Sequence, residues 1–96
     1  MKYLMLMESD PKDMDEILKK QEKVRARQEK TGELRKGFKP LYPVHVMEAG
    51  KAFMICEADE EGMLQYNLDY APFITAKFIP IIPLDTWQAE YQKMRQ

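Results

Sequence analysis

The 96-residue chain predicts one α+β domain of β-α-β-β-α-β order, followed by a last helix. Three observations predict it. Four apolar runs of strand length alternate with two amphipathic helical stretches in that order. Pro43 and Pro80, which fall within such runs, sit in the two strands that this order places at the sheet's edges, where a missing ladder N–H is tolerated. A chain of this length also has room for a single hydrophobic core.

The first strand is read at residues 2–8, KYLMLME. Asp10-Pro11 then starts a helix, with Asp as N-cap and Pro at the first position, where no N–H is needed. Met14, Ile17, Leu18 and Val24 recur at helical spacing to about Glu29, charged residues fill the opposite face, and Thr31-Gly32 ends the helix. A polar loop runs on to Gly37. Residues 38–47 and 51–58 are two strands joined as a hairpin through Glu48-Ala49-Gly50-Lys51. Asp59 caps the second helix, and Glu60 and Glu61 lie in its first turn, where the helix dipole favours acids. Met63, Leu64, Leu68 and Ala71 form its expected inward stripe, and Pro72 stops it. Residues 75–82 are the fourth strand. Asp85 with Gln88 three residues on resembles a capping box and opens a final helix striped by Trp87, Tyr91 and Met94.

Two interleaved right-handed βαβ units give an antiparallel sheet of order 4-1-3-2, a ferredoxin-like arrangement. The whole chain is read as one domain, with residues 1–82 as the βαββαβ core and 83–96 as a C-terminal helix.

A sheet covered by helices on one face alternates apolar and polar residues. Here Tyr3-Leu4-Met5-Leu6-Met7, Ala52-Phe53-Met54-Ile55-Cys56 and Phe78-Ile79-Pro80-Ile81-Ile82 are apolar on both faces. Two helices cover one face; the other needs either the terminal helix folded back or a second copy. A homodimer is the expected solution. The opening Met-Lys-Tyr-Leu-Met-Leu with Asp10-Pro11-Lys12, and the segment from Gly50 to Asp59, resemble the dimeric α/β-barrel superfamily, closest to a short branch known only as a domain of unknown function. The resemblance covers most of residues 1–82 and lies in pattern and order. It implies two sheets closed around a pocket. Members of that superfamily include cofactor-free monooxygenases, small-lactone isomerases, haem-handling enzymes and ligand-sensing domains, so the fold implies a pocket and no particular chemistry.

Composition narrows the partners. With 15 basic and 16 acidic residues the net charge is -1, which gives no overall pull toward nucleic acid or membrane. The apolar run at residues 3–7 is too short for a signal peptide or a span. Cys56, the single cysteine, excludes an intrachain disulfide and a multi-cysteine metal cluster, and favours a reducing, cytoplasmic setting. No cofactor or metal is expected, because one histidine and scattered acids make no ligand set. Residues 19–39 carry nine bases against three acids, while residues 57–69 carry five acids and no base. Side by side, the two helices would attract each other. The rival reading, a phosphate-gripping surface, is disfavoured because Met54 and Cys56 stand where an RNA-binding sheet of this fold shows aromatics; nucleic acid is not an expected partner.

If Met47 pairs with Ala52, His45 lies opposite Met54 and Pro43 opposite Cys56, on the face turned toward the dimer interior. Tyr42, Val44, Val46, Phe53, Ile55 and Glu57 then pack under the helices. A slip of one residue exchanges the two faces. The expected pocket is lined by His45, Cys56, Met54 and Tyr3. His45, the only histidine, is the candidate catalytic residue, since its ordinary pKa of ~6.5 suits proton transfer near neutrality; otherwise it is an edge-strand histidine satisfied by backbone. Cys56 could be a pocket thiol, but it reads first as core filler, since free cysteine packs as a small hydrophobe. Glu8 and Glu57 are carboxylates at strand ends, and Tyr42, Tyr66 and Tyr70 are further hydroxyl sources. The function expected is binding of a small organic molecule in an apolar pocket. The alternatives are a cofactor-free isomerase or monooxygenase using His45, and a non-catalytic dimerisation or sensing domain.

Overall fold

A computed structural model describes residues 1–33, 35–48 and 50–95. Strand β1 (Lys2–Ser9) leads through a single 3-10 turn at Pro11–Asp13 into α1 (Met14–Thr31), followed by β2 (Phe38–Glu48), β3 (Lys51–Ala58), α2 (Glu60–Tyr70), β4 (Ile74–Pro80) and α3 (Leu84–Arg95). The sheet is antiparallel with order β2-β3-β1-β4, the expected ferredoxin-like topology, and its proline-bearing strands β2 and β4 are its edges. Ala49 of the expected hairpin turn and Leu34 of the expected loop lie outside the described residues.

The expected start and stop signals act where they stand. The Asp10 carboxylate accepts from the Lys12 N–H at 3.1 Å, and that of Asp59 from the Gly62 N–H at 2.8 Å. Gly32 closes α1 in the left-handed region at φ 82°, which glycine adopts without steric cost. Asp85 is the exception. It lies inside the first turn of α3, and the helix begins on the Pro83 carbonyl, which accepts from the Trp87 N–H at 3.0 Å.

Three expectations about what faces inward are corrected. The inward stripe of α2 is Gly62, Tyr66 and Tyr70; of the expected residues Met63 packs against the core, while Ala71 is exposed and Leu64 and Leu68 are 60% and 61% exposed. A Cβ at Gly62 would fall on the Gly37 carbonyl oxygen, so this helix face approaches the chain where only glycine fits, and the tyrosines four and eight residues on follow it inward. Second, the hairpin register differs from the assumed one. His45 pairs with Phe53, Val46 with Ala52 and Glu48 with Lys51, with irregularities between Pro40 and Tyr42, Tyr42 and His45, and Val46 and Glu48. Pro40 and Pro43 cannot donate to a ladder, and each bulge resets the alternation of β2.

Third, and as a result, the two faces of β3 are exchanged. Met54 and Cys56 lie under the helices with Met5 and Met7, whereas Phe53 and Ile55 lie on the other face with Leu4 and Leu6. Bulky β-branched and aromatic residues were expected inside. In fact α2 supplies the aromatic bulk through Tyr66 and Tyr70, and the sheet beneath answers with Met, Cys and Ala. Close packing depends on total volume, not on which layer provides it. The terminal helix does not fold back over the open face; every described residue of α3 is exposed.

Candidate functional site

The covered side of the sheet is tied together by one carboxylate. Asp69, near the end of α2, is 6% exposed in its side chain and accepts four hydrogen bonds. Arg27 of α1 grips it through both terminal nitrogens at 3.0 and 2.7 Å, Arg35 donates Nε at 2.9 Å, and Gln65 donates its amide at 2.9 Å. All its principal acceptor positions are thus used, in the fork geometry that suits guanidinium. Burial works against its charge, but the bonds from Arg27, Gln65 and Arg35 outweigh it and hold the carboxyl below its ordinary range. Arg35, itself buried, lies over the rings of Phe38 and Tyr66 at 4.8 and 4.9 Å. The opposite charges of residues 19–39 and 57–69 therefore do draw the two helices together, through Arg27 and Asp69.

The corner that positions this cluster is glycine-dependent. Gly37 sits at φ 73°, its carbonyl accepts from the Asp59 N–H at 3.0 Å, and Gly62 packs directly on it. That fastens the start of α2 to the loop before β2 and lays Phe38 on Tyr66 with ring centroids 5.8 Å apart.

Between α1 and the bulged strand β2 the helix layer leaves a groove of two lobes, each about 310 Å³. Gln21, Val44, Tyr66 and Tyr70 line both lobes. One lobe adds Arg25, Gln28, Arg35 and Met54; the other is apolar, with Ile17, Leu18 and Val46, and reaches Lys51 at its end. Tyr66 donates its hydroxyl to the Met7 sulfur at 3.0 Å, a weak acceptor for a buried phenol. Burial pushes both the Tyr66 and the Tyr70 phenols up, so each keeps its proton across the physiological range. Such a site offers donors and no base; it can hold and orient a molecule.

The sequence-derived pocket residues are divided between the two faces. Met54 lines the groove, and Cys56 lies fully buried in the same layer, with burial pushing its thiol up. Tyr3 also faces the helices, edge-on to Phe78 at 5.9 Å. His45 stands on the opposite face, stacked between Tyr42 at 4.8 Å and Phe53 at 5.6 Å. Its Nδ1 lies 2.8 Å from the Pro43 carbonyl. A carbonyl can only accept, so Nδ1 carries the proton and Nε2 is left as the basic nitrogen. The four residues therefore form no common pocket. Glu8 and Glu57 sit at opposite ends of the open face.

Sequence reading did not single out Arg35, Asp69, Gln21 or Arg25. The paired charge blocks and the tyrosines at 66 and 70 were the available signals. Among the described residues no three His, Cys, Asp or Glu side chains gather as a metal site would require, and no helix is long and apolar enough to cross a membrane. Neither curated proteins nor solved structures give a match to the chain. The family model described as "Domain of unknown function (DUF3303)" matches residues 1–95, and the chain belongs to that family.

Proposed function

We propose that this protein is a homodimer, joined through the open face of its sheet, that binds a small organic molecule in the groove beneath α1. The observation that carries the binding role is the groove itself. Its volume lies in the range of small-molecule sites, its walls are mostly apolar, and it carries a few polar groups, Tyr66 and Tyr70 where its two lobes meet and Arg35 in one of them.

The dimer rests on the pattern of the open face. Along β1 it reads Lys2, Leu4, Leu6, Glu8; along β3, in the same spatial direction, Glu57, Ile55, Phe53, Lys51; along β2, Lys39, Tyr42, His45, Glu48. Each of these three strands runs from one charge, across two apolar or aromatic residues, to the opposite charge, while the edge strand β4 adds Thr75, Lys77 and Ile79. An apolar centre within a polar rim is the anatomy of an interface. A twofold axis lying across the strands would set Lys39 against the partner's Glu48, Glu57 against the partner's Lys51, and Lys2 against the partner's Glu8. All three facing pairs are opposite in sign.

Sedimentation velocity at low salt tests this. The protein should run as a dimer, Lys51→Glu should weaken association at least about tenfold, and adding Glu57→Lys should restore it. A monomer at about 100 μM, or a dimer indifferent to Lys51→Glu, would sink the arrangement. A second reading is favoured by one observation, the placement of His45 on this face with its Nδ1 turned to the Pro43 carbonyl. Enclosed by the dimer, this histidine would act as a proton carrier in a cofactor-free isomerisation or oxygenation.

A further inference from the structure

We infer that the groove is selective for a small apolar carboxylic acid in its ionised form, an inference that rests on the binding role proposed above. The chain carries 16 acidic residues, yet no Asp or Glu stands among the described residues lining either lobe. The charged residues that line its inner lobe are Arg25 and Arg35, both cationic; Lys51, at the far end of the other lobe, has its ammonium held by Glu48 at 3.1 Å. Behind the Arg35 wall, Arg27 and Arg35 both hold the carboxylate of Asp69. Asp69 is saturated with donors and lies outside the lining. A carboxylate entering this lobe meets two cations and no competing acid, whereas an ammonium group meets their repulsion.

The rest of the groove defines the other half of the ligand. Ile17, Leu18, Val44 and Val46 make an apolar trough beside the charged lobe, and Leu18, Val44 and Val46 leave it open to solvent at the lips. A hydrocarbon or aromatic body laid there removes exposed apolar surface from water at about 25 cal/mol per Å². Tyr66 lines both lobes, and its hydroxyl rests on the sulfur of Met7, a weak acceptor in the apolar lobe, so the head-group contact belongs to Arg25 and Arg35.

The test is a titration of the purified protein with three probes of equal chain length: octanoate, 1-octanol and octylammonium. Octanoate should bind at least about tenfold more tightly than octanol, and octylammonium more weakly than either. Arg25, exposed and outside the Asp69 cluster, permits a variant that leaves the fold intact. Arg25→Gln should cut octanoate affinity about fivefold while leaving octanol unchanged. Val44→Trp, which fills both lobes from β2, should abolish binding of all three and so identify the groove as their site. Equal affinity for octanoate and octanol, or a preference for octylammonium, would overturn the acid selectivity and leave the groove as a binding site. Failure of all three probes to bind would overturn both.

Discussion

The two faces of this sheet are equally apolar in sequence and differ in what closes them. On the covered face Met5, Met54 and Cys56 are buried beneath tyrosines of α2, and one carboxylate with four donors locks α1, α2 and the loop before β2 together. On the open face Leu4, Leu6, Phe53 and Ile55 are only half-buried, flanked by the Tyr42–His45–Phe53 stack and bounded by two rows of alternating charge. The contrast teaches that hydrophobicity alone does not tell a core from an interface. A core satisfies its polar groups within the chain, whereas this face arranges its charges at the two ends, where a second molecule would meet them.

That contrast can be broken first at Asp69. Asp69→Asn leaves two arginines short of their shared anion, one of them fully enclosed, and should cost about 3–5 kcal/mol in urea denaturation. The wild-type carboxyl also titrates below its ordinary value, so its contribution is complete above ~3.9 and disappears as pH falls through the folded value. Melting temperature should therefore hold steady from neutrality to about pH 5 and drop below about pH 4. The Asp69→Asn variant should show a shallower drop. If the variant melts like the wild type, the charged tie is not what holds the covered face.

Gly62→Ala sharpens the same point at smaller scale. Helix propensity alone favours alanine by about 1 kcal/mol. Because the added methyl would fall on the Gly37 carbonyl oxygen, a backbone atom, the net change should instead be destabilising by about 1–3 kcal/mol. Thermal denaturation decides it, and a stabilised variant would mean that α2 is not seated on that loop. The smallest effect belongs to α3, which stands outside both faces. Trp87, 52% exposed and stacked on Tyr91, should tolerate replacement by Ala within about 0.5 kcal/mol. A larger loss, growing with protein concentration, would show that α3 contributes to the assembly.

The order of elements, the caps at Asp10, Asp59 and Gly32, the edge positions of β2 and β4 and the apolar excess on both faces follow from the sequence by itself, because capping, proline exclusion and strand-length apolar runs are local properties. Which face of each strand points inward was decided only in the tertiary structure. Bulges around Pro40, Pro43 and Met47 break the period of β2, and its pattern cannot announce the break. Tyr66 and Tyr70 take the core volume that Phe53 and Ile55 could have filled. The Asp69 tie joins residues 42 positions apart and the groove brings Met7 to Tyr66, 59 positions on, and no local rule reaches that far. His45 illustrates both parts. Its chemistry is plain in the sequence, but its separation from Cys56, Met54 and Tyr3 exists only once the hairpin register and the helix layer are set.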